Sequence, residues 1–160
     1  MELEIIVMGL LKLRYEVDEM KDLDLSAALI STSMPERAAC SGKFARSLVL
    51  NYDDVISPAD SSAFTPALAR KASEFVLSLG EEITNLYVAC DFGTSRSAAI
   101  AAAIMRHLGY EELSIWANPS YHPNPLVYSL MSCALGVPVR EDEIEELRRI
   151  NEQAFGDAVN

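Results

Sequence analysis

The stretch Leu86-Tyr87-Val88-Ala89-Cys90-Asp91-Phe92-Gly93-Thr94-Ser95-Arg96-Ser97 decides how this chain is read. Leu86 to Ala89 is a short apolar run that suits a strand. Ser97 to Leu108 is alanine-rich, with Ile100, Ile104 and Leu108 at four-residue spacing, and predicts a buried helix closed by Gly109. Between the two lies a loop that starts on a cysteine and ends on an arginine. A strand–loop–helix junction of this kind curls backbone N–H groups into a ring at a helix N-terminus, where an anion is stabilised.

Each residue of the loop suits that chemistry. Cys90 is placed at the bottom of the ring, where the helix dipole and converging N–H groups favour a thiolate over a thiol whose free pKa is about 8.5. Arg96 can fork two donors onto two oxygens of a phosphate. Gly93 lets the chain turn tightly without a Cβ in the way. Ser97 can hydrogen-bond the sulfur and make it a better leaving group. The expected substrate-binding set is Asp91, Phe92, Gly93, Thr94, Ser95 and Arg96, a loop large enough to surround one phosphate.

Cys-x5-Arg-Ser between strand and helix resembles the signature of the cysteine-dependent protein-tyrosine-phosphatase superfamily. The ending Gly93-Thr94-Ser95-Arg96-Ser97 is most similar to its dual-specificity and small bacterial or phage-type branch. The likeness is strong from Leu86 to Leu108 and extends from Ser47 to Leu135, including Asn124-Pro125-Leu126-Val127-Tyr128. It implies a phosphatase acting on phosphotyrosine, with phosphoserine and phosphothreonine as further candidates, through a cysteinyl-phosphate intermediate. Neither a metal nor an organic cofactor is implied. Relatives acting on inositol lipids tend to carry lysines in the loop, and here the variable positions are Asp91, Phe92 and Thr94. Phosphorylated protein or peptide is therefore the expected partner.

Expulsion of an alkoxide or phenoxide needs a proton from an acid. Relatives supply it from an aspartate on an upstream loop, and Asp53, Asp54 and Asp60 all lie in that window. Asp54 ranks first, Asp60 second and Asp53 third; those that do not serve are solvated or turn-forming acids. One departure stands out. The family usually has histidine immediately before the cysteine, and this chain has Ala89. Asp91 also adds negative charge beside the nucleophile. Both push towards a less acidic thiol, so a phospho-binding module that has lost turnover is the alternative reading.

Outward from the loop, strand-like and helix-like segments alternate. Leu3 to Met8, Ala28 to Thr32 and Ser47 to Tyr52 read as strands, with a loop containing Pro35 and Gly42 between the last two. Glu16 to Leu25 reads as a short charged helix. Thr65-Pro66 opens a helix whose face is Leu68, Ala72, Phe75, Val76 and Leu79, with Gly80 at its end. Glu111 to Ala117, Asn124-Pro125 to Leu135 and Asp142 to Ala154 complete the helices, the last burying Ile144, Leu147 and Ile150. His107, His122, Tyr110 and Trp116 read as structural. The expected fold is one α/β domain over residues 1–160, a mostly parallel sheet of about four strands flanked by helices, with the phosphate loop at a strand's C-terminal end.

Composition bounds these readings. With 160 residues, half of them apolar, the chain can bury a core. Its formal charge of −11 disfavours nucleic acid and anionic membrane as partners. No apolar run approaches the roughly 18–20 residues that span a bilayer, and the acidic start Met1-Glu2-Leu3-Glu4 is unlike a secretory leader, so a cytoplasmic location is expected. Three cysteines, Cys40, Cys90 and Cys133, make no disulfide framework. A protective disulfide between Cys90 and either Cys40 or Cys133 is implied only by analogy with relatives.

Overall fold

A computed structural model describes residues 2–20, 22–32 and 42–159. Four strands, β1 (Glu4–Gly9), β2 (Asp24–Ser31), β3 (Phe44–Val49) and β4 (Asn85–Cys90), form one sheet in the order β1-β4-β2-β3. All three pairings are parallel, so every strand delivers its C-terminal end to the same edge. Parallel strands need covering on both faces, and their residues alternate between two cores. Leu86, Val88, Ala28 and Ile30 point into the larger core, packed by α2 (Pro66–Leu77), α3 (Arg96–Leu108), α4 (Leu113–Trp116), α5 (Pro125–Ala134) and α6 (Glu141–Val159). Ala89, Ala27 and Leu29 point the other way, onto α1 (Leu10–Glu19) through Leu10, Leu13 and Val17.

The expected α/β architecture is the one observed, with boundaries that differ for identifiable reasons. The first helix occupies Leu10–Glu19, not Glu16 to Leu25. Its stripe is Leu10, Leu13 and Val17, and the charged run after it only forms the exposed end. Asp24 then starts β2 by accepting from Ser26 N at 2.9 Å and Ser26 Oγ at 2.6 Å. The third strand is Phe44–Val49, three residues earlier than expected at each end. Its ladder ends where Leu50 N donates to Ser31 O at 2.8 Å, leaving Tyr52 to Asp54 beyond the sheet.

The caps fall mostly where the residues ask for them. Thr65 Oγ1 accepts from Leu68 N at 3.2 Å, with Pro66 in the first turn. Asn124 Oδ1 accepts from Leu126 N and Val127 N at 3.0 and 3.2 Å. Gly109 closes α3 in the left-handed region at φ 75°. At α2 the cap is Ser78, whose Oγ donates to Phe75 O at 2.7 Å, and Gly80 lies beyond the helix. The last helix runs to Val159, past the expected Ala154: Gly156 does not turn left-handed to close it, and Gln153 bonds Asp157 one turn on. Pro35 and Cys40 lie outside the described residues.

Topology places the junction of interest. Neighbouring strands β1 and β4 lead into helices on opposite faces of the sheet, α1 and α3. A crevice opens at the C-terminal ends of strands where connections diverge in this way. The segment after Cys90 sits there.

Candidate functional site

The sulfur of Cys90 is buried at the end of β4, with only 2% of the residue exposed. Gly93 N donates to Cys90 Sγ at 3.2 Å, and Ser97 Oγ lies 3.0 Å from the same sulfur. Gly93 can do this because it adopts φ +72°; a Cβ there would meet Gly9 N at 2.4 Å and Met8 C at 2.5 Å. The loop is thus pressed against the exit of β1. Ser97, fully buried in the first turn of α3, comes to the sulfur from the helix side.

Neighbours orient the rest of the loop. Asp91 O accepts from Leu10 N at 3.3 Å, Thr94 O from His122 N at 2.8 Å, and Ser95 O from Asn124 N at 3.3 Å. In a trans peptide the C=O and the following N–H point in opposite directions, and the described residues contain no cis bond. With these carbonyls turned outward, the N–H groups of Phe92, Ser95 and Arg96 turn towards the concave side. That side is the N-terminal end of α3, where the helix dipole also favours negative charge.

Arg96 is held from three directions. Its Nη1 donates to Thr32 O at 3.2 Å and to Tyr52 O at 3.0 Å, and its Nη2 meets Asp91 Oδ2 at 3.3 Å. The side chain is 12% exposed, so the guanidinium is aimed by its surroundings, not by solvent. Tyr52 packs its ring on Phe64 at 4.6 Å beneath this contact. Burial is the main cause that pushes the Tyr52 phenol far up, outweighing the neighbouring Arg96 charge.

Of the three candidate acids, Asp54 is the one that reaches the loop. Its Oδ1 accepts from Ser95 Oγ and from Asn124 Nδ2, both at 2.8 Å. Ser95 opens α3 yet uses its hydroxyl on Asp54 and not on its own helix. Asp60 is turned into its own bend, accepting from Ser62 N at 2.9 Å and Ser62 Oγ at 2.7 Å; those bonds hold its carboxyl below the usual range. Asp53 contributes its backbone to the same loop, with its N–H on Ser62 O.

Against known proteins, this chain shows a likeness to solved structures alone. No protein-family model matches it, and no curated protein does. A structure described as "Crystal Structure of PTPMT1" is similar over 98% of this chain and 94% of that one, at 16% identity and a TM-score of 0.43. A second, "Crystal Structure of PTPMT1 in complex with PI(5)P", covers 97% and 94% at 15% identity and a TM-score of 0.41. At that level the likeness is a weak one of shape, and the chemistry of the site has to stand on its own geometry.

The loop residues singled out by sequence sit at one place: Cys90, Ser97, Gly93, Arg96 and Ser95 converge, joined by Asp54. Phe92 instead stands in solvent, 86% exposed, and the Asp91 carboxylate is turned onto Arg96. Residues without a sequence forecast also take part. The carbonyls of Thr32 and Tyr52 aim the arginine, and no side-chain signature announces a carbonyl. Gly9 at the end of β1 lets the loop approach, since a Cβ would come within 3.0 Å of Phe92 C. A glycine closing an apolar strand is a readable sign of such close approach. The rings of His107 and His122 turn away from the cluster, bonded to Leu135 O at 3.1 Å and Asn151 Oδ1 at 3.2 Å. No group of three metal-ligating side chains occurs among the described residues.

Proposed function

We propose that this chain is a cysteine-dependent phosphatase that hydrolyses phosphotyrosine, and secondarily phosphoserine and phosphothreonine, in protein or peptide substrates. The observation that carries the reading is the setting of one sulfur: Cys90 Sγ lies between the Gly93 N–H and the Ser97 hydroxyl, at the foot of a loop whose amides face inward. Groups that donate to a sulfur favour its anionic form, the form that attacks.

In the proposed reaction the Cys90 thiolate attacks phosphorus in line. The S–P bond forms as the bond to the leaving oxygen breaks, and Asp54 gives that oxygen its proton. The loop N–H groups and Arg96 hold the equatorial oxygens, where charge builds up. Water then attacks the cysteinyl-phosphate, Asp54 takes the proton, and the electron pair returns to sulfur with Ser97 as hydrogen-bond donor. Anchoring of Asp54 through Oδ1 alone supports this role, because Oδ2 is left to exchange the proton.

A second reading is favoured by a specific contact. Asp91 already occupies part of Arg96, and Ala89 precedes the nucleophile, which together suit a module that binds phosphorylated ligands without turnover. Release of phosphate from a small aryl phosphate separates the two. The enzyme reading expects turnover that vanadate blocks and that Cys90→Ser abolishes. Absence of wild-type turnover above the Cys90→Ser background, with phosphopeptide binding retained, selects the module.

A further inference from the structure

The face of α1 that looks away from the sheet carries the largest apolar exposure beside the loop. Leu11 is 84% exposed and Tyr15 66%, one helical turn apart, and Phe92 stands next to them at 86%. Solvent-facing positions of a surface helix are ordinarily polar, so three large apolar side chains grouped here mark an interaction surface. Two adjoining recesses flank the Phe92 ring. One, of about 370 Å³, is lined by Leu10, Leu11, Arg14, Asp91 and Phe92. The other, of about 650 Å³, is lined by Gly9, Leu11, Lys12, Tyr15, Asp91 and Phe92.

Charge identifies the occupant. The chain carries −11 overall, yet the two side chains bordering these recesses from α1, Lys12 and Arg14, are cations, both exposed. Farther along the same helix Glu16, Asp18 and Glu19 restore the acidic surface. A broad anionic membrane would meet the acidic field of the whole molecule. A short acidic segment meets these two cations, and Asp91, the carboxylate that lines both recesses, is already paired with Arg96. The loop with Cys90 lies at the inner end of the same crevice, joined to α1 by the Leu10 N to Asp91 O bond of 3.3 Å.

We propose that the outer face of α1 and Phe92 seat the residues flanking the phosphorylated side chain of an acidic peptide, an apolar residue against Leu11, Tyr15 and Phe92 and a carboxylate at Lys12 or Arg14. The inference rests on the phosphatase reading for the position of the phosphate and adds the class of sequence around it. Selection then comes from α1, an element remote in sequence from the loop.

The test measures binding of labelled phosphotyrosine peptides to the full chain carrying Cys90→Ser, so that no turnover is needed. One peptide has Glu and Leu beside the phosphotyrosine and the other has Ala at both places. The first is expected to bind about tenfold more tightly, with the margin shrinking at about 0.5 M salt. Lys12→Glu with Arg14→Glu removes the preference, as does the milder pair Lys12→Ala with Arg14→Ala; Leu11→Ser reduces it. Equal binding of the two peptides overturns the proposal, and so does a preference that survives charge reversal. Stronger binding to vesicles of anionic phospholipid, lost in the same variants, assigns the face to a membrane and overturns it too. Aryl phosphate hydrolysis by the wild-type chain reports separately on the phosphatase reading: it can persist while the peptide preference fails, and the preference can persist where hydrolysis is absent.

Discussion

Asn124 Nδ2 donates to Asp54 Oδ1 at 2.8 Å across 70 residues of sequence. The same asparagine caps α5 through its Oδ1 and donates to Val55 O at 3.1 Å, and it is 98% buried. One amide therefore fastens a helix end and the candidate acid together. Replacing Asp54 by Asn is expected to lower kcat on alkyl and unactivated aryl phosphates by about 10²–10³-fold, the range general acids contribute. An aryl phosphate with a good leaving group should lose much less, since it departs without the proton. Rates measured across a series of leaving groups decide it; an equal loss throughout sinks the assignment of Asp54 as acid.

Asn124→Ala removes the cap and the Asp54 anchor at once. A stability loss of about 1–2 kcal/mol is expected from the cap, read by denaturant unfolding, together with a fall in kcat that Asn124→Asp does not restore, because a carboxylate there would face Asp54.

The ion pair between Asp91 and Arg96 predicts competition for the arginine. Asp91→Asn keeps the shape and removes the negative charge, and vanadate is expected to inhibit about tenfold more tightly as repulsion of the anion falls. Inhibition constants for the two proteins give the answer. Unchanged or weaker inhibition would show that Asp91 serves to position the guanidinium.

Ser97 Oγ, 3.0 Å from the Cys90 sulfur and fully buried, should matter after the first bond has broken. Ser97→Ala is expected to slow hydrolysis of the cysteinyl-phosphate about tenfold or more and so to produce a burst of the leaving alcohol in rapid-mixing kinetics. A uniform loss without a burst places its role in the first step.

Two glycines with nearly the same backbone angle should respond differently to alanine. At Gly109, φ +75°, a Cβ meets nothing within 4 Å, so only the left-handed conformation costs, about 1 kcal/mol. At Gly93, φ +72°, it runs into the backbone of Met8 and Gly9. Gly93→Ala should cost clearly more and displace the loop, with activity lost; denaturant curves and aryl phosphate turnover compare the pair.

Stability should also fall at high pH. Burial, above all, raises the phenols of Tyr52 and Tyr128, and Tyr128 also donates to Glu112 Oε2 at 2.5 Å. In the unfolded chain both titrate near pH 10. Their stabilising effect is complete below that value and is lost as pH rises from there towards the folded-state values, because the unfolded chain then binds fewer protons. Tyr128→Phe should flatten part of this alkaline loss in pH-dependent unfolding curves.

Sequence alone was enough for whatever is settled within a few residues. Thr65 and Asn124 cap the helices they precede, Gly109 ends the helix it follows, and short spacing puts Gly93 and Ser97 around the Cys90 sulfur, because each lies at most seven positions away. The tertiary structure alone decided the rest. The charged run after Val17 concealed that α1 starts at Leu10, since the stripe of Leu10, Leu13 and Val17 has meaning only against the sheet. Arg96 finds its aim in the carbonyls of Thr32 and Tyr52, 64 and 44 residues away, and only folding brings Asp54, ranked first from the resemblance, onto Ser95 and Asn124 while Asp60 turns to Ser62. A carbonyl carries no residue-specific mark, and three aspartates in one loop are chemically alike until folding turns one of them onto Ser95 and Asn124.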